Sequence, residues 1–99
     1  MKRRPTHPGE ILREEFLKPL RLSKSVLAKE IHVSPHVLHD LLSCKKGVTP
    51  ALALKLAHYF GTSPELWLHL QNRYDLYCAM KKTKKELRQI KRCEQITVA

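Results

Sequence analysis

The stretch from Leu22 to Lys46, LSKSVLAKEIHVSPHVLHDLLSCKK, leaves this chain few folds to choose from. Ser23 offers a hydroxyl that can accept a free N–H in the opening turn of a helix. Val26, Leu27 and Ile31 then recur on one helical face, and Ala28 is small enough to admit a neighbouring helix. His32-Val33 turns the corner. Ser34-Pro35 restarts the chain as a cap followed by proline at the first helical position, where the missing N–H costs nothing. Leu38, Leu41 and Leu42 give this second helix its buried face, which directs Pro35, His36, His39, Asp40 and Ser43 outward. A buried helix supporting a second one whose polar face looks out is the layout of a helix-turn-helix.

The remaining segments fit around that unit. A first helix is predicted from Pro8 or Gly9 to Lys18, with Ile11, Leu12, Phe16 and Leu17 inward and Arg13, Glu14 and Glu15 solvated. Pro19 is expected to stop it, and Leu20 and Leu22 to tuck into the core. Cys44 to Gly47 makes a turn in which Gly47 is free to take positive φ. Thr49-Pro50 opens a helix over about 50–60, with Leu52, Leu54, Leu56, Ala57 and Phe60 inward and Gly61 as its end. Ser63-Pro64 opens the last helix, which carries Leu66, Trp67, Leu70, Tyr74 and Tyr77 at spacings of three and four and runs on through Met80, Leu87 and Ile90. An aromatic stripe is ordinarily core, but four preceding helices leave little interior for Trp67, Tyr74 and Tyr77 together, so part of that face is expected to be a dimer surface. The fold class is all-α, with five helices in residues 8–80. A flexible basic arm, residues 1–7, is held extended by Arg4-Pro5 and His7-Pro8. The tail, residues 81–99, is basic and partly helical.

Composition narrows the function. Ninety-nine residues suit one small domain with a core of its own. The formal net charge is +10, and it is unevenly placed: residues 1–4 hold Lys2, Arg3 and Arg4, while residues 81–99 hold seven basic and two acidic groups. A nearly neutral body with basic ends suits a polyanion, most simply nucleic acid. Three irregularly spaced cysteines, Cys44, Cys78 and Cys93, argue against a disulfide framework and fit a reducing cytoplasm. No apolar run is long enough to span a membrane, and the opening MKRRPTHP lacks a signal core.

If the second helix enters a major groove, Pro35, His36, Val37, His39 and Asp40 are placed to meet base edges, with Asp40 an acceptor for cytosine N4. Lys24, Ser43, Lys45 and Lys46 are placed for phosphates. His36 and His39, with Cys44 beyond them, lack the second converging pair that a structural zinc site needs, so no metal or other cofactor is expected. No phosphate loop or nucleophile elbow is present, and Glu10, Glu14 and Glu15 sit on a solvated helix, so the chain does not read as an enzyme.

HPGEILREEFLKPLRLS at 7–23, VTPALALKLA at 48–57, FGTSPELWLHLQ at 60–71 and the following Tyr74-Asp75-Leu76 together resemble the HigA family of antitoxins. That family belongs to the Xre-type, lambda-repressor-like helix-turn-helix proteins. The resemblance implies a dimer that binds its own operator DNA as an autorepressor and neutralises a HigB-like toxin, a RelE-like ribonuclease that cleaves mRNA at the ribosome. It places the family's base-reading positions on Pro35, His36, Val37 and Asp40, and phosphate contacts on Lys24, Ser43 and Lys45. This chain departs from the family's pattern in the same helix. Relatives often carry Arg-Gln-Thr where Pro35-His36-Val37 stand, an Arg or Asn at Asp40, and Asn-Gly at Ser43-Cys44. The rival expectations are a stand-alone Xre-type regulator and a toxin-neutralising protein without DNA readout.

Overall fold

The structure, a computed structural model, describes residues 4–94; Lys2 and Arg3 of the expected arm lie outside the described residues. Four helices start where a hydroxyl stands one residue before a proline or, at Ser23, a lysine. Ser23, Ser34, Thr49 and Ser63 each accept the backbone N–H three residues on, at 3.1–3.3 Å. They open α3 (Lys24–Glu30), α4 (Pro35–Leu42), α5 (Pro50–Phe60) and α6 (Pro64–Gln89). The opening cap is different: His7 Nδ1 accepts from Gly9 N at 2.9 Å to begin α1 (Pro8–Ile11). His7 is therefore buried at a helix start instead of belonging to a free arm.

The first helix does not stop before Pro19. It widens into a π-helical stretch over Leu12–Leu17 and resumes as α2 (Lys18–Leu20). The Lys18 N–H reaches back to the Arg13 carbonyl, five residues away. Such widening gives room for a ring that would otherwise crowd the carbonyl four residues earlier. The end comes at Arg21, in left-handed geometry (φ 53°), with Leu22 N donating to Leu17 O at 2.9 Å. Leu20, carried round by that extra turn, faces solvent, while Leu22 packs against the core as expected.

The core is assembled from Leu12, Leu17, Leu27, Ala28, Ile31, Leu38, Leu41, Val48, Leu52, Ala53, Leu56, Ala57 and Trp67. Two expected members are outside it: Val26 and Leu54 are exposed. The rest of each stripe is as assigned (Leu27 and Ile31 in α3; Leu52, Leu56 and Ala57 in α5), while Ala28 and Ala53 take the inward places beside them. Alanine lets backbones approach closely, which suits helices this short.

Trp67 is wholly buried and does not form a surface. Phe16 leans on Phe60 (centroids 4.8 Å apart) and on Trp67 (5.3 Å), and Trp67 Nε1–H donates to Thr62 Oγ1 at 2.8 Å. The indole thus has both its apolar faces and its one polar atom satisfied inside the protomer. Tyr74 and Tyr77 are half-buried. The His7 ring meets Tyr74 edge-on at 4.8 Å with the Arg4 guanidinium 5.9 Å from the ring centre, and Lys81 Nζ lies 5.1 Å over Tyr77.

Gly47 does not use positive φ; of the described glycines only Gly61 does (φ 75°). Gly47 is small because Gln71 lies against it: a Cβ there would fall 2.4 Å from the Gln71 amide. Gln71 Oε1 accepts from Val48 N at 2.8 Å and its Nε2 donates to Asp75 Oδ1 at 2.9 Å, so a buried amide joins the loop after α4 to α6.

Candidate nucleic-acid interface

The outer face of α4 is built by its cap and by what lies behind it. With Ser34 holding the first turn, Leu38 and Leu41 point into the core and Pro35, His36, Val37 and His39 are exposed. Two contacts fix the helix from behind. Leu41 O lies where a Cβ on Gly9 would be, so α1 and α4 touch backbone to backbone. Arg13 Nη1 donates to Leu42 O at 2.8 Å, satisfying a carbonyl that the end of α4 leaves free.

The side chains of that face pair among themselves. Lys24 Nζ, from α3, donates to His39 Nδ1 across 3.1 Å. His36 Nε2 lies 3.2 Å from Asp40 Oδ2. Asp40 was expected to face outward, and its carboxylate is instead largely covered, 10% exposed against 79% for the His36 side chain. The cause is the turn after α4, which folds back so that Lys45 N and Lys46 N both donate to Asp40 O, at 2.9 and 3.2 Å. Position 40 thereby becomes the floor of a groove of about 290 Å³, walled by His36, Lys46, Thr49 and Lys55 among others. The Asp40 carboxylate is thus turned to His36 and not outward as expected.

Of the expected phosphate contacts, Lys24, Lys45 and Lys46 are exposed; Lys24 reaches His39 and Lys46 lines the groove. Ser43 is exposed too, but its hydroxyl proton goes to His39 O at 2.8 Å, and a phosphate oxygen needs a donor. Lys55 was not anticipated. It lines the same groove from α5 and donates to His32 O at 2.9 Å. The signal for it is a single charge inside the apolar run Ala51–Ala57. Arg13, read as merely solvated, was missed for a plainer reason: its partner is a backbone carbonyl twenty-nine residues away.

A second feature stands apart from this face. The far half of α6 exposes Leu76, Met80 and Leu87 at helical spacing, among the lysines of residues 81–91, and Ile90 just past its end is exposed too. Among the described residues no helix is long and apolar enough to cross a membrane, and no group of three metal-ligating side chains converges.

No family profile matches the chain. Individual relatives do. Virulence-associated protein I of Dichelobacter nodosus is 49% identical over 73 residues, covering 74% of this chain and 68% of that protein. Antitoxin HigA-1 of Vibrio cholerae is 35% identical over 91 residues, 91% of this chain and 85% of its own length. Among solved structures, the Pseudomonas aeruginosa antitoxin HigA with the higBA promoter superposes with a TM-score of 0.86 at 35% identity, covering 92% of this chain and 99% of the other. Agreement in sequence and in fold over nearly the whole length admits one conclusion: this chain belongs to the HigA family of helix-turn-helix antitoxins.

Proposed function

We propose that this protein is the antitoxin of a toxin–antitoxin pair, binding its own operator DNA as a dimeric autorepressor and neutralising a HigB-like, mRNA-cleaving toxin. The observation that carries the reading is the end-to-end match to an antitoxin solved with its promoter, combined with an outer face of α4 that no other part of the described chain covers. Pro35, His36, Val37 and His39 meet base edges in the major groove. Lys24, Lys45, Lys46 and Lys55 neutralise phosphates and fix the register. The chain acts by binding and carries out no catalysis. Residues 8–80 form the DNA-binding domain, flanked by the basic segments 1–7 and 81–99. A second copy meets this one along Tyr77, Leu76, Met80 and Leu87 of α6, since Trp67 is committed to the core.

The test is co-expression with the immediate small neighbouring gene, only the neighbour being tagged. The reading requires that the neighbour be toxic alone and harmless with this chain, that the two co-purify, and that the complex retard the shared upstream duplex. Rescue without retardation would leave a neutraliser blind to DNA. Retardation beside a harmless neighbour would leave a stand-alone regulator.

A further inference from the structure

Two histidines share the outer face of α4, and the groups beside them differ in sign. His39 Nδ1 receives a hydrogen bond from the Lys24 ammonium at 3.1 Å. A nitrogen that accepts carries no proton, so neutral His39 is protonated on Nε2 and offers the groove a donor. His36 has the opposite neighbour. Its Nε2 faces the Asp40 carboxylate at 3.2 Å, and a carboxylate only accepts, so Nε2 must carry the proton it gives. Neutral His36 is then left with a bare lone pair on Nδ1, which has no hydrogen-bond partner among the described residues.

We propose that Asp40 is a positioning residue that holds His36 as its Nε2–H tautomer, so that His36 reads the major groove through Nδ1 as an acceptor. An acceptor in the major groove finds only exocyclic amino groups, N4 of cytosine or N6 of adenine; guanine N7 and O6 and thymine O4 are acceptors themselves. Asp40 therefore specifies a base without touching one. The inference rests on the proposal that α4 reads base edges. It also gives the covered carboxylate a role, since nothing else in the core or the turn uses its oxygens. The charged groups that border the pair are Lys46 from the turn and Lys55 from α5, both in the same groove, with Lys24 of α3 on the His39 side.

The experiment pairs a spectroscopic reading of the free protein with a base-preference reading of the complex, both at about pH 8, where an ordinary histidine is neutral. The first is a long-range proton–nitrogen correlation of the histidine rings in wild type and Asp40→Asn. Wild-type His36 should show an unprotonated Nδ1 and a protonated Nε2. In Asp40→Asn the amide can donate to Nε2 as well as accept from it, so both tautomers should appear. The second is selection from a randomised duplex pool. Wild type should prefer cytosine or adenine over guanine at one position by roughly tenfold. His36→Ala should erase that preference, and Asp40→Asn should flatten it while thermal stability holds and total binding to the pool does not fall, since the change removes a negative charge that would lie beside phosphates.

Identical tautomers and identical base preference in wild type and Asp40→Asn would overturn the role of Asp40. A single wild-type tautomer with no preferred base at any position would overturn the proposal differently. The pair would then be purely structural, and the groove reading itself would be the part that failed.

Discussion

His7 ties the stability of the molecule to pH through one nitrogen. Burial holds its imidazole below the ordinary histidine range, against a smaller upward pull from Asp75, and the same Nδ1 accepts the Gly9 N–H that starts α1. Because the folded form takes up this proton less readily than the unfolded chain, stability is fully present above about pH 6.5 and is lost as the pH falls through the lowered value. Urea midpoints measured from pH 8 to pH 5 should therefore decline, and His7→Asn, which keeps a capping oxygen but cannot titrate, should flatten that decline. Cys44 makes a second prediction. It follows α4 in left-handed geometry (φ 62°), where a side chain is strained. Cys44→Gly should raise thermal stability by about 1 kcal/mol despite removing atoms. The sequence placed the turn here but assigned the positive φ to Gly47, because glycine is the residue that ordinarily takes it. Only the approach of Gln71, far away in the chain, reveals what Gly47 is for.

Elements were easier to read than their orientation. Four caps, three of them followed by proline, mark helix starts by local chemistry, and all four hold. The exposure of Val26 and Leu54 escaped because they look as apolar as the buried Leu27 and Leu52, and where the edge of an inward stripe falls is decided by neighbours. The same holds for Asp40, covered by a turn whose path periodicity does not encode. The placement of α4 depends on α1 coming close enough for Gly9 to touch the Leu41 carbonyl. Gly9→Ala should cost about 1–3 kcal/mol, since the backbone must shift and no flexible side chain can give way. The shift displaces the groove-facing helix, so operator affinity should fall more than the melting curve alone accounts for. Replacing Lys45 and Lys46 by Ala should act otherwise: weaker binding to every duplex alike, and a salt slope reduced by up to about two units, read from titrations at several salt concentrations.

At the scale of the whole molecule, the shape is set by α6, which gives the protein a long axis of 53 Å against 23 and 22 Å. Its first turns are anchored by Trp67 and Gln71, and its last carry exposed apolar side chains among lysines. Leu76→Glu with Leu87→Glu should therefore leave the unfolding midpoint of the protomer nearly unchanged while sedimentation shifts from dimer to monomer. Operator affinity should drop sharply, because two reading helices are then no longer delivered together. Trp67 has a further consequence. It is the chain's one tryptophan, wholly enclosed and packed on Phe16, so its emission should be that of an indole in an apolar medium and should move to longer wavelength only when the core opens. The protein thus carries its own optical gauge of folding, one that needs no label and stays silent when only the outer face of α4 is changed.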